Sequence, residues 1–167
     1  MRIELSDTEL MLAGQIGAMR EMMNRAAKRQ DYFPHLTESK KRNEMIGVMA
    51  EMAFCKWANQ YPNLDIAPQS GTTDVIYQGW KCDIKATDLE NGQLIVPVKK
   101  KKGSSDVYVL GVIDKNVVDF RGFAVEDEII NEKRIKDLGH GPTYCMTQEE
   151  ITKFKEDAEQ VTSLQSV

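Results

Sequence analysis

Long apolar runs are missing from these 167 residues: no stretch approaches the roughly 18 consecutive apolar positions that a membrane helix needs. No basic start followed by an apolar core looks like a secretory leader, so neither membrane insertion nor secretion is expected. Cysteine is scarce and odd in number. Cys55, Cys82 and Cys145 lack the close spacing of metal ligands and read as reduced thiols of a reducing, cytoplasmic compartment. Histidine is rarer still: His35 beside Pro34 and His140 in Gly-His-Gly-Pro fall in expected loops and read as exposed side chains, not as a general base or metal ligands. No glycine-rich phosphate loop stands between a strand and a helix, and no Ser/His/Asp arrangement or internal repeat is present. A basic excess is missing too. With 22 Lys and Arg against 26 Asp and Glu the formal charge is −4, which is not the balance of a typical nucleic-acid binder. A local run, Lys99, Lys100, Lys101 and Lys102, still makes one basic spot inside an acidic whole.

What is present is an ordinary globular composition, 41% hydrophobic and 29% charged, in a chain long enough to bury a core without disulfide or metal staples. The chain is organised around residues 72–86, Thr-Thr-Asp-Val-Ile-Tyr-Gln-Gly-Trp-Lys-Cys-Asp-Ile-Lys-Ala. β-Branched and aromatic residues flank Gln78-Gly79, which predicts two strands joined by a tight turn. Asp83 and Lys85 are two apart on the second strand and leave the same face, while Ile84 points the other way. Asp74 precedes Asp83 by nine residues, a separation a hairpin folds back on itself. Carboxylates brought together resist joint ionisation unless a cation or proton compensates. A hard divalent ion such as Mg²⁺ (or Mn²⁺) is the usual compensation, and a lysine beside it orients or activates a water. The pattern points to metal-assisted phosphodiester hydrolysis. The alternative is a solvated hairpin face with a cross-strand ion pair.

Asp74 followed by Asp83-Ile84-Lys85 resembles the PD-(D/E)xK signature of the restriction-endonuclease-like nuclease superfamily, with Thr73 in the place of the loosely kept proline. Gly47-Val-Met-Ala-Glu51 resembles the helical segment that contributes a glutamate to the metal site in many members, and Leu94–Pro97 followed by Asp106–Leu110 is similar to the region after the signature in small phage-encoded members. The resemblance spans roughly residues 40–125. It implies a mixed central β-sheet, Glu51, Asp74, Asp83 and the Ile84 carbonyl as metal ligands, Lys85 at the attacking water, DNA as substrate and products bearing a 5′-phosphate. If the chain is phage-encoded like those small members, the resemblance implies the cytoplasm of a bacterial host cell as the setting. A homodimer with two sites would serve cutting of both strands of a duplex.

Ser6-Asp-Thr-Glu9 has capping-box spacing and opens a helix to about Arg29, whose recurring Leu10, Met11, Ala13, Ile16, Met19, Met22 and Met23 predict a core-packing stripe ended by Pro34. A second helix runs from Thr37 to about Gln60, with a broad apolar face. On it Glu51 stands at the edge of the stripe, and Gly47 one turn earlier offers close approach to the hairpin. A solvent-facing Glu51 paired with Lys56 or Arg42 is the alternative, and Glu44 is the alternative carboxylate. Leu64 to Ala67 predicts a short edge strand. Leu94–Val98 is extended, and no crossover helix is readable after the Asp83-Ile84-Lys85 strand. The lysines at 99–102 lie in a loop, either as a solvated guard against edge pairing or as contacts to phosphates.

Asp106–Ile113 predicts a strand buried on both faces, and Val117–Val125 returns beside it. Glu126–Leu138 and the capping-box stretch from Thr147 predict C-terminal helices, with a frayed end. The expected whole is a single α/β domain: a helical extension over 1–36, a core over 37–125 with a restriction-endonuclease-like mixed sheet of about four to five strands flanked by helices, and helices over 126–167. The functional expectation is a metal-dependent nuclease with Glu51, Asp74, Asp83 and Lys85 as its site. The alternative is a catalytically inert accessory protein of the same fold that binds a host protein or nucleic acid.

Overall fold

The computed structural model of the chain describes residues 1–27, 37–66, 73–139 and 141–154. In chain order the elements are β1 (Arg2–Glu4), α1 (Asp7–Ala26), α2 (Thr37–Trp57), β2 (Val75–Tyr77), β3 (Trp80–Thr87), β4 (Leu94–Pro97), β5 (Val107–Asp114), β6 (Val117–Val125), α3 (Glu126–Ile129), β7 (Ile135–Asp137) and β8 (Pro142–Met146). Five strands make a mixed sheet in the order β1-β6-β5-β3-β2, in which β3 and β5 alone run parallel; β4, β8 and β7 make a separate antiparallel sheet. The fold class is α/β, as expected, and no helix crosses from β3 to β5.

The continuous apolar character of β5 follows from its place at the sheet centre. Val107 and Val109 enter a core with α1 and α2, while Tyr108 and Leu110 enter a second core with Leu94, Val96 and Met146 of the small sheet. Directly paired residues share a face, so the register carries this division onto β3. Cys82 and Ile84 lie opposite Val107 and Val109, on the helix side, and Asp83 and Lys85 lie opposite Tyr108 and Leu110, on the other. The hairpin turn forms at Gln78-Gly79, where both residues take the positive φ that a two-residue turn requires, 50° and 87°.

The capping box of α1 is complete: Glu9 N–H donates to Ser6 Oγ and Ser6 N–H donates to Glu9 Oε2. Its methionines do not pack as expected. Met11, Met19 and Met22 are exposed, and the buried face is made by Ala13, Ile16, Gly17 and Glu21. The C-terminal helices are corrected as well. α3 stops at Ile129, where Asn131 turns its side chain onto the Lys133 N–H and competes with the helix ladder. β7 and β8 then follow, paired by tertiary contacts no local pattern announces. At Thr147 the backward bond of a capping box forms, from Thr147 N–H to Glu150, without a helix. Instead Thr152 bridges Phe123 with two backbone bonds of 2.8 Å, in space that Gly122 leaves open; a Cβ there would stand 2.3 Å from the Thr152 carbonyl. Residues 61–66 form no strand, since the carbonyls of Asn63 and Asp65 accept from the Arg20 guanidinium. Ala67, the Pro34 stop, His35, His140 and the terminal residues expected to fray lie outside the described residues.

Two helical glycines play opposite parts. A Cβ on Gly17 would stand 2.8 Å from the backbone nitrogen of Met45, so Gly17 sets how closely α1 crosses α2. A Cβ on Gly47 would meet nothing within 4 Å, which corrects the expectation of close approach there. The same substitution is therefore expected to act with opposite signs. Gly17→Ala forces the helices apart and costs on the order of 1–3 kcal/mol, whereas Gly47→Ala stabilises by about 0.5–1 kcal/mol through helix propensity. Urea denaturation of the two variants checks this, and equal effects would contradict it.

Candidate active site

β3 outruns its partner. β2 pairs only with Trp80, Lys81 and Cys82, so from Asp83 onward that edge of β3 has no strand beside it. Asp74, the residue before β2, closes the gap: its N–H donates to the Cys82 carbonyl at 3.2 Å and its Oδ2 accepts the Ile84 N–H at 2.7 Å. The N–H and C=O of one strand residue point to the same side, which directs the Ile84 carbonyl to this open edge beside Asp74.

Asp83 is 2% exposed and ringed by cations. Lys85 makes an ion pair with its Oδ1, and Lys100 reaches in from the lysine loop to lie 2.6 Å from its Oδ2. Burial pulls the Lys85 ammonium down, but Asp83, Asp74 and Glu51 outweigh it and raise its pKa, which keeps the charge on the lysine. Glu51 comes from α2 and is held by Arg20 of α1, whose Nη1 contacts both carboxylate oxygens at 2.9 and 3.1 Å. Burial raises the Glu51 pKa; Arg20 and Lys85 oppose this and Asp83 adds to it. Asp74 is pushed up to about 7, by burial first and then by Asp83 and Glu51. The negative field reaches further. Burial and Asp83 push the Tyr108 hydroxyl up to about 12, and burial, Glu51 and Asp74 push the Cys55 thiol up to about 11.

Asp74, Asp83, Lys85 and Glu51 thus form one interacting cluster, with Ile84 at its edge. Glu44 stands apart, bonded by Asn24 Nδ2 of α1. The partners considered for an exposed Glu51 are engaged elsewhere: Arg42 pairs with Asp88 and Lys56 with Glu9. Of the four loop lysines, Lys100 belongs to the cluster, Lys102 pairs with Asp127 on the surface, and Lys99 and Lys101 are exposed. Sequence reasoning missed Arg20 and the role of Lys100. A signal for Arg20 existed, because Ala13, Ile16, Gly17, Arg20 and Asn24 recur at helical spacing, and a polar residue on a packed stripe implies a partner. Nothing singles out Lys100 among four consecutive lysines.

Among the described residues, no group of three His, Cys, Asp or Glu side chains is arranged to hold a metal ion. The donor chemistry fits a hard cation nonetheless. All the donors are oxygens, and burial together with their neighbours raises the pKa of Asp74 and of Glu51, the strain a dication relieves. A cavity of about 620 Å³ adjoins the cluster and shares Ile84 and Lys85 with it. All three cysteines are buried and free, and among the described residues no helix is long and apolar enough to cross a membrane. No family model, curated protein or solved structure matches the chain.

The raised Asp74 pKa has a defined consequence for stability. Between its ordinary value of 3.8 and about 7 the folded state holds a proton that the unfolded chain releases, so this contribution is complete at low pH and is lost as pH rises through about 7. In metal-free buffer the wild type is expected to lose about 2–3 kcal/mol more between pH 5 and pH 8 than Asp74→Asn, which keeps the acceptor for Ile84. Urea unfolding at the two pH values measures it, and equal losses would remove Asp74 from the carboxylate cluster. Arg20→Met leaves Glu51 uncompensated and is expected to cost about 3 kcal/mol, with partial recovery when Glu51→Gln is added. A cost below about 1 kcal/mol would make the pair a surface one.

Proposed function

We propose that the chain is a metal-dependent nuclease of the PD-(D/E)xK kind that hydrolyses phosphodiester bonds, with DNA as its substrate class. The observation that carries this reading is the convergence of Asp74, Asp83, Glu51 and Lys85 at the open edge of β3. A purely structural cluster has no need of three mutually repelling carboxylates.

Asp74, Asp83, Glu51 and the Ile84 carbonyl would hold Mg²⁺ or Mn²⁺, and such an ion when bound supplies positive charge for the phosphate and acidifies a water. The chain's own groups do the rest. Lys85, kept charged by its carboxylate neighbours, donates hydrogen bonds that orient the attacking water in line with the leaving oxygen. Asp74 fixes the strand end by holding the Ile84 N–H, so that the edge does not fray when a substrate docks. Lys100 is the cation nearest the solvent loop that can exchange Asp83 for a phosphate oxygen, which gives one member of the lysine run a specific partner.

A second reading has an observation of its own. Lys85, Lys100 and Arg20 supply three cations to three carboxylates, a balance that suits an inert descendant of the fold serving as an accessory binding protein. Cleavage of labelled single-stranded, duplex and branched DNA with Mg²⁺ or Mn²⁺ decides between them. The nuclease reading expects cutting that EDTA, Asp83→Ala and Lys85→Ala each abolish, by a factor of about 10² or more for the lysine. Thermal stabilisation by the divalent ion should vanish in Asp74→Ala. Full activity in both the Asp83 and Lys85 variants would remove the site assignment, and indifference to metal without any cutting would favour the accessory protein.

A further inference from the structure

The cavity beside the cluster has walls of two kinds. Ile46, Leu89, Ile95 and Pro97 give it apolar faces, and the amides of Asn43, Asn91 and Gln93 lie among them. The Gln93 carbonyl oxygen is buried with no hydrogen-bond partner among the described residues. At about 620 Å³ the space is in the range of pockets that take a small organic molecule, roughly 300–1,000 Å³. Its position is specific: Ile84 and Lys85 line both the cavity and the charged cluster, so an occupant would sit next to whatever phosphate the cluster holds.

Gly47 lines this cavity, and a Cβ on it would meet nothing within 4 Å. Unlike Gly17 it lies against nothing, and its φ is helical, so neither packing nor backbone conformation asks for glycine in the interior of α2. A side chain there would enter the pocket. Glycine at this point of the cavity wall thus leaves free the space that a larger side chain would take.

We propose that this cavity receives one unstacked nucleobase of the strand whose phosphate lies at the cluster, so that the protein acts on unpaired nucleotides: single strands, flaps or extruded bases. The inference rests on the nuclease reading for its choice of ligand. The aliphatic side chains of Ile46, Ile95 and Pro97 offer apolar contact to a base face, and the amides of Asn43, Asn91 and Gln93 in the lining supply donors and acceptors for its edge. A base held in a duplex stack cannot enter. Lys85, which lines the cavity and pairs with Asp83, marks where base and backbone phosphate would be read together.

The test uses the full chain and an oligonucleotide carrying 2-aminopurine, either in an unpaired run or fully paired in a duplex of the same sequence. Binding is measured in EDTA and again with Ca²⁺ in place of Mg²⁺. Wild type is expected to favour the unpaired form and to change the fluorescence of the bound base. Gly47→Phe, whose Cβ meets nothing within 4 Å and whose ring is added at the cavity wall, should weaken that binding about ten-fold or more and abolish the fluorescence change. Asn43→Leu, which keeps the volume and removes an amide, should weaken it several-fold. Binding of unpaired and paired forms that neither variant alters would overturn the proposal, as would no binding of any oligonucleotide by the wild type. The two readings separate cleanly. Metal-dependent cutting unaffected by Gly47→Phe would sink the base pocket and leave the nuclease, whereas Gly47-sensitive base binding without cutting would do the reverse.

Discussion

A strand that extends past its neighbour leaves backbone groups without partners, and the candidate site is built around how this chain manages that. β2 ends its pairing at Cys82, and the first donor on that edge beyond it, the Ile84 N–H, is taken by the Asp74 carboxylate. An unpaired backbone group in a half-buried setting costs free energy comparable to a lost hydrogen bond. The acid therefore stays at the strand edge although burial and its neighbours raise its pKa. From this follow the open edge itself, the outward Ile84 carbonyl and the placing of Asp83 and Lys85 one residue to either side.

Compensation of charge decides the rest of the site. Asp83 is almost fully buried between two lysines, and Glu51 is held by an arginine from a different helix. Arg20 also binds the carbonyls of Asn63 and Asp65, so one guanidinium ties α1, α2 and the segment after α2 together. In the proposed reading the same groups serve stability and chemistry. Removing a cation leaves a buried charge exposed to its like neighbours, while a substrate or metal arriving at the edge would meet carboxylates whose partners can be exchanged.

The two-faced sheet explains why a charged cluster and a cavity lie side by side. α1 and α2 cover one face and the small sheet of β4, β8 and β7 covers the other. Where β3 runs on without β2, the gap between α2 and the β4 region is not filled, and Gly47 adds no side chain to fill it.

Much of this was legible in the residues. The Gln78-Gly79 turn, the alternation of Asp83, Ile84 and Lys85 and the apolar run of β5 follow from periods of two and from turn chemistry, which act over a few residues. Ser6 and Glu9 likewise fix the start of α1 by a purely local bond. The failures share one cause. Thr147 and Glu150 form one of the same local bonds, but pairing with Phe123 draws the chain away from a helix; β7 and β8 exist because β8 pairs with β7 on one side and β4 on the other; and Met11, Met19 and Met22 face outward because Gly17 brings the opposite side of α1 against α2. By itself, then, the sequence determined the hairpin, its two aspartates and its lysine, because their placement depends on neighbours along the chain. Only the tertiary structure decided that Arg20 and Lys100 would balance them and that a cavity would open beside them, because those contacts join residues 31 and 17 positions apart through packing that no local pattern encodes.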